Sequence, residues 1–365
     1  MKKLTHPCLL ICLASAFAAL PCLFAQEASA GFDFRESLSA LGLDSNVLSA
    51  PPRSGSPFAA GFRSVTYPTW KISPNWGVTG ALQFVTRPYF YEDFDTTGYG
   101  AKGYILQSTL NYSRLSDKGS LLFRAGVLST AFGSFLLRYD DADNPLIDMP
   151  PQYGYYYSPV STSGLPGAQI DATRGKWDAR LQFANSSPTN PRSLFAHDQY
   201  GNWAGGAGYT IRQGFRVGVD AYHGPYLDRQ SPYFFWGEKN PSTLPATGLG
   251  VDAGWAHGHT SVQLEEDHFV MPYTVIPTFR ESAGYIELKQ VLTPRWYLAF
   301  RPGYTAASAG GDVRCWEMAA GFRPNRFQLI KVDYEIEHYT QGAPTDQSTL
   351  AVQWVTTFHR AFGLN

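Results

Sequence analysis

Cysteine is nearly absent from this chain. Four occur, and Cys8, Cys12 and Cys22 fall within the first 25 residues, leaving Cys315 alone beyond them. One thiol cannot form an intramolecular disulfide, so a small disulfide-stapled fold and any cysteine-based zinc site are excluded. Charge is scarce too, at 16% of residues against roughly 25% in soluble domains. Beyond residue 25 no apolar run reaches the roughly 18 residues that a membrane-crossing helix requires. Nor is there an excess of positive charge. Without Lys2 and Lys3 the chain holds 27 basic against 30 acidic residues, near −3, which argues against nucleic acid as a partner. Enzyme signatures are missing as well: no Gly-x-Ser-x-Gly elbow, no P-loop and no His-Glu-x-x-His.

What is present points to export. Lys2-Lys3 precede an apolar run from Cys8 to Ala25, and small residues follow at two cut sites, after Ala25 or after Ala28-Ser29-Ala30. That pattern describes a cleaved signal peptide over 1–25, with the cut after 30 as the alternative. Aromatics reach 15%, with Tyr 22, Phe 24 and Trp 9. An exported chain that is poor in charge, rich in tyrosine and glycine, and without a spanning helix suits a transmembrane β-barrel. In hydrocarbon every backbone polar group must pair internally, and a closed sheet is the non-helical way to do so.

Alternation with period two dominates from about Trp76 to Phe358. In 328–337, Ile330, Val332, Tyr334 and Ile336 alternate with Lys331, Asp333, Glu335 and Glu337. In 177–183, Trp177, Ala179, Leu181 and Phe183 alternate with Asp178, Arg180 and Gln182. Short turns such as Ser116–Gly119, Arg174–Lys176 and Gly258–His259 take turns with long links such as 130–164 and 224–247. Tight turns at one rim and long loops at the other belong to an antiparallel up-and-down barrel. Fourteen segments, from 76–87 to 348–358, are predicted strands of about ten residues, enough for a tilted crossing. Residues 26–72 read either as a luminal plug or as extra strands that raise the number to sixteen. A short helix is expected around Arg35–Leu43, and the barrel proper over 73–365.

The segment Ala131-Phe132-Gly133-Ser134-Phe135-Leu136-Leu137-Arg138-Tyr139-Asp140-Asp141, continuing to Asn144-Pro145-Leu146-Ile147-Asp148-Met149-Pro150, adds a resemblance. It resembles the third loop of porin-like outer-membrane proteins, a group that includes the phosphate-selective porins. The resemblance extends over about 60–358 and implies a loop folded into the channel. It also implies outer-membrane lipid around the barrel, barrel-assembly machinery during biogenesis, small hydrophilic solutes or ions as cargo, and room for a homo-oligomer. Phosphate selectivity is not carried over, because the segment sets Arg138 against Asp140, Asp141, Asp143 and Asp148.

Those five residues are the candidate constriction, in which carboxylates would enrich cations. The candidate lumen wall carries Arg124, Arg180, Arg216, Arg301, Arg314, Lys331, Asp333 and Glu335, where cross-strand bracing competes with a role in selectivity. Tyr153, Tyr155, Tyr156 and Tyr157, with Tyr233–Trp236, serve either as a solute stack or as an interfacial girdle. No catalytic residue, cofactor or metal is expected. His257-Gly-His259 offers two ligands and Asp141-x-Asp143-Asn144 lacks the glycine and distal glutamate of a calcium loop. The reading is a channel for passive diffusion, with a plugged binding or adhesion barrel and an outer-membrane hydrolase as alternatives.

Overall fold

The structure is a computed structural model, and it describes residues 31–49, 56–87, 89, 100–135, 140–153, 164–185, 201–225, 244–274, 277–309, 311–341 and 346–362. The leader expected over 1–25 lies outside the described residues.

Among the described residues sixteen strands form one closed barrel. The first eight are β1 (Gly31–Ser45), β2 (Phe58–Lys71), β3 (Trp76–Arg87), β4 (Gly100–Ser116), β5 (Gly119–Leu128), β6 (Leu165–Arg174), β7 (Trp177–Asn185) and β8 (Gly201–Arg212). The second eight are β9 (Phe215–Pro225), β10 (Pro245–His257), β11 (Thr260–Met271), β12 (Phe279–Thr293), β13 (Trp296–Ala307), β14 (Val313–Asn325), β15 (Gln328–Tyr339) and β16 (Asp346–Phe362). Each pairs with its sequence neighbours, and β1 pairs antiparallel with β16 from Phe32↔Phe362 to Ser45↔Thr349. That last ladder closes the sheet and removes its edges, which an open sheet would leave unpaired in lipid.

The fourteen strands expected from residue 76 onward are all present. The N-terminal segment supplies the other two, so the wall starts at Gly31, ahead of residue 73. Residues 31–45 are a strand, which corrects the helix expected at Arg35–Leu43; the short helix lies further on, at Asn46–Ser49. β1 hides its alternation because both of its faces are partly apolar. Leu41 and Leu43 point inward and are buried against Tyr89, Ile147 and Ala351, while Leu38 and Ala40 take the outward parity.

Alternation elsewhere follows the pleat. On β15, Val332, Tyr334 and Ile336 face outward, and Lys331, Asp333, Glu335 and Glu337 are buried inward. The outward face is therefore apolar and the inward face polar, as a barrel in lipid with a wet interior requires. Short turns gather at one rim, where Gly175 (φ 59°) and Gly258 (φ 58°) take the left-handed conformation that a tight hairpin needs. Aromatic pairs flank the same rim on the outside: Trp76–Tyr112, Trp177–Tyr209 and Trp296–Phe322, with ring centroids 5.1, 4.7 and 4.5 Å apart. Amphipathic rings at that height form a girdle at a membrane interface. The last strand runs past Phe358 and ends on Phe362, whose ring lies 6.1 Å from that of Phe32.

Candidate functional site

In the long link between β5 and β6, the described residues 129–135 and 140–153 turn into the barrel. Its apolar residues leave water by packing on inward-facing wall side chains. Phe132 and Phe135 join Tyr153, Ala204, Tyr222, Phe269 and Tyr285 in one buried cluster. Leu146 is buried among Tyr297, Ala299, Ala319, Leu329 and Val355. Each such side chain contributes about 1.5–3 kcal/mol when fully buried.

Polar contacts fix the loop's path. Gln182 on β7 holds its entry, accepting from Ala131 N at 3.2 Å and donating to Ser129 O at 2.7 Å. Gly133 adopts φ 82°, where a side chain would run into Tyr153 and Glu265. Glu265 on β11 clamps two limbs of the loop together. It accepts from Ser134 N (3.1 Å), from Ser134 Oγ (2.6 Å) and from the hydroxyl of Tyr153. Burial, followed by the Glu265 charge, pushes the Tyr153 phenol well above its ordinary range.

The acidic stretch forms a tight turn in which Asp140 O accepts from Asp143 N and Asn144 N at 2.9 and 2.8 Å. Asp141 is buried. Its carboxylate accepts from Arg63 Nη1 (2.8 Å), Ser39 Oγ (2.6 Å) and the Tyr89 hydroxyl (2.9 Å). Burial by itself would raise this carboxyl; Arg63 and Lys331 outweigh it and hold it below the usual aspartate range. Lys331 on β15 donates to the backbone carbonyls of Asp141, Asn144 and Leu146 at 2.9, 3.1 and 2.8 Å. Glu317 accepts from Asp148 N at 2.9 Å, Asp333 from Ile147 N at 3.1 Å, and Arg301 donates to Asp148 O at 2.6 Å. Arg301 also pairs with Glu317 and, at 3.5 Å, with Glu287. Nearby, Cys315 Sγ donates to Glu335 Oε1 at 3.0 Å.

Four expected constriction acids are thus placed, and they do not form an open ring. Asp141 is neutralised by Arg63, and Asp148 is held through its backbone. Asp143 pairs with Arg35 at 3.0 Å, and Asp140 lies 3.5 Å from the same guanidinium. Arg138 lies outside the described residues, as do Tyr155–Tyr157 and Tyr233–Trp236. Arg314 is a correction. On β14, Val313, Cys315 and Glu317 point inward and are buried, so Arg314 shares the outward face with Trp316 and Met318. Arg63 and Tyr89 were missed, and reading 60–72 as a strand with odd residues inward would have revealed Arg63.

The opposite wall is different. On β5–β10 the inward charges form a ladder: Arg124–Asp171 at 2.6 Å, Arg180–Asp220 at 2.9 Å, and Arg216 between Asp178 (2.7 Å) and Asp252 (2.5 Å). Arg124, Asp171, Arg180, Asp178 and Arg216 retain 20–36% exposure, whereas Arg63, Arg301 and Lys331 retain 0–1%. Glycine makes room for the ladder. A Cβ at Gly208 would run into the Arg216 guanidinium, and one at Gly218 into the Asp252 carboxylate, so these side chains lie flat on the β8 and β9 backbone. The ladder on β5–β10 thus keeps partial exposure, while the described loop residues pack on β11–β16 and β1–β2 and, through Phe132 and Phe135, on Ala204, Tyr222 and Ala246 of β8–β10.

No family model matches the chain, and no curated protein matches it by sequence. Solved structures do. An anion-selective porin from Comamonas acidovorans superposes with a TM-score of 0.64 at 8% identity, over 90% of this chain and 99% of that one. The outer-membrane channel DcaP of Acinetobacter baumannii gives 0.60 at 10%, over 92% and 99%. OmpT of Vibrio cholerae, an outer-membrane protein in its trimer form, gives 0.60 at 10%, over 90% and 100%. At such identities the likeness is one of fold: the chain has the closed antiparallel barrel that porins have.

Proposed function

We propose that the protein is a porin-like channel of the bacterial outer membrane that passes small hydrophilic solutes and ions by diffusion. The observation that carries this reading is the division of the lumen. One side is packed dry under loop residues 129–135 and 140–153. The other presents a ladder of arginines that keep partial exposure, paired with Asp171 and Asp178, which are partly exposed, and with Asp220 and Asp252, which are buried against a glycine-floored wall. Unpaired charge is costly in a dry interior, and charge with partial exposure marks a water-filled path. Three arginines face four carboxylates along it, so solutes of either charge find a partner and ion preference is weak. The anion-selective and channel neighbours support the same reading.

A hydrolase reading has less support, since among the described residues the partly exposed luminal ladder consists of paired arginines and carboxylates. The expected leader agrees with export. Self-association has support on the outside of β1–β3. There Glu36 and Ser64 share a hydrogen bond of 3.1 Å, and Pro68 packs close over Gly80, giving a low and partly polar patch at membrane height. The neighbour solved as a trimer fits such an assembly.

Liposome swelling with neutral sugars of increasing size tests the channel. Swelling rates that fall with solute size are expected; liposomes that do not swell with folded protein present would overturn the proposal.

A further inference from the structure

The rim that carries the short turns is strongly basic. Its seven turns occupy 71–76, 114–119, 174–177, 212–215, 257–260, 293–296 and 323–327, and the start of β1 (31–33) meets the end of β16 (359–362) beside them. Together these segments hold ten lysines and arginines against two acids, Asp33 and Asp117, in a chain whose formal net charge is −1. The cations stand on six of the seven turns, among them Arg114, Lys118, Arg174, Lys176 and Arg326, with Arg360 at the end of β16. All but Arg323 are exposed, and none is ion-paired among the described residues. Asp33 is already taken by His359, at 2.8 Å.

These cations sit beside the aromatic girdle. Lys176 Nζ lies 5.9 Å from the ring centroid of Tyr209, and the guanidinium carbons of Arg326 and Arg360 lie 4.5 and 4.9 Å from those of Phe327 and Phe362. Amphipathic rings mark the headgroup level of a bilayer, and a long basic side chain lying on one carries its charge out to that level. The distribution also selects the partner. A docked protein would cover one sector of the rim, whereas a leaflet meets the wall around its whole circumference, as these charges do.

We propose that this basic ring binds the phosphate groups of anionic phospholipids in the leaflet around the short-turn rim, which is the periplasmic one for a barrel of this kind. Arginine grips a phosphate with two parallel hydrogen bonds, and lysine meets it as a point charge. Such contacts fix the depth at which the wall sits in the bilayer. The inference rests on the membrane placement of the wall and not on conduction, and its test does not read conduction.

The test reconstitutes the full chain in phosphatidylcholine vesicles and compares spin-labelled phosphatidylglycerol with spin-labelled phosphatidylcholine for residence against the protein. A preference of roughly fivefold for phosphatidylglycerol is expected, the gain that one cation near an anionic surface supplies. It should shrink between 0.05 and 0.5 M salt, since these charges are exposed. It should fall toward parity in the combined variant Arg114→Gln, Lys118→Gln, Arg174→Gln and Arg326→Gln. It should persist in Arg280→Gln with Arg314→Gln, two exposed cations near the other rim. Equal residence of the two lipids beside the wild type overturns the proposal, whether or not the variants fold. So does a preference that ignores salt, or one that survives in the combined variant. Binding of a polyglutamate peptide to the wild type without any lipid preference would assign the ring to an acidic protein instead, and overturns it too.

Discussion

Asp141 concentrates the chemistry that seats the loop. Its carboxylate meets Ser39 from β1, Arg63 from β2 and Tyr89 beyond β3, while Lys331 on β15 takes its backbone carbonyl. Asp141→Asn would leave Arg63 buried without its counter-charge, a loss of about 3–5 kcal/mol when one partner of a buried pair is removed. A lower thermal midpoint and noisier single-channel current are the expected results. The effect has a definite pH sign. A carboxyl held below its ordinary range stabilises the folded state above the unfolded value, about pH 4, and loses that contribution as pH falls through the lowered folded value. Thermal midpoints of wild type and Asp141→Asn should thus differ at neutral pH and converge only in strong acid. On the opposite wall, Arg216→Gln removes the cation between Asp178 and Asp252. The zero-current potential under a KCl gradient should then move toward cation preference, with the thermal midpoint little changed. An unchanged potential would place the conducting path elsewhere. The acidity of Asp140–Asp148 was legible in the sequence. Its neutralisation was not, because Arg63 and Lys331 lie far off in the chain and meet Asp141 only once the barrel closes.

At the scale of elements, strands β3–β16 were legible because one face of each meets lipid and the other meets water or polar groups, which imprints period two on the sequence. β1 lost that imprint where the loop presses on it: Leu41 and Leu43 are apolar on the luminal side, and Ser37 and Ser39 are buried there as well. The same spacing of leucines resembles a helical stripe when no neighbour is considered. Arg314 was misplaced for a related reason, since a charged residue near a rim can sit on the outward face without entering hydrocarbon. β1 and β2 are structural members of the wall, with β1 bridging β16 and β2. Deleting 31–71 should therefore abolish the compact, heat-modifiable band on a denaturing gel. A folded barrel from the shortened chain would instead mark the segment as a dispensable plug.

The whole molecule is a closed wall divided by one loop. Closure satisfies the backbone in lipid, the outward apolar face and its girdle match a membrane, and the loop decides which part of the lumen stays wet. Sequence alone conveyed the barrel and the presence of an inserted loop. Which wall the loop covers was hidden, since it depends on contacts between residues more than 100 positions apart, such as Arg35 with Asp143 and Tyr297 with Pro145. The central claim is that the loop narrows a water-filled path along β5–β9. Single-channel conductance in planar bilayers tests it most directly, comparing the wild type with a variant in which residues 134–152 are replaced by a short glycine–serine link. Discrete steps in the wild type and clearly larger steps in the variant are the expected result. A silent wild type, or steps of equal size in both proteins, would contradict the account.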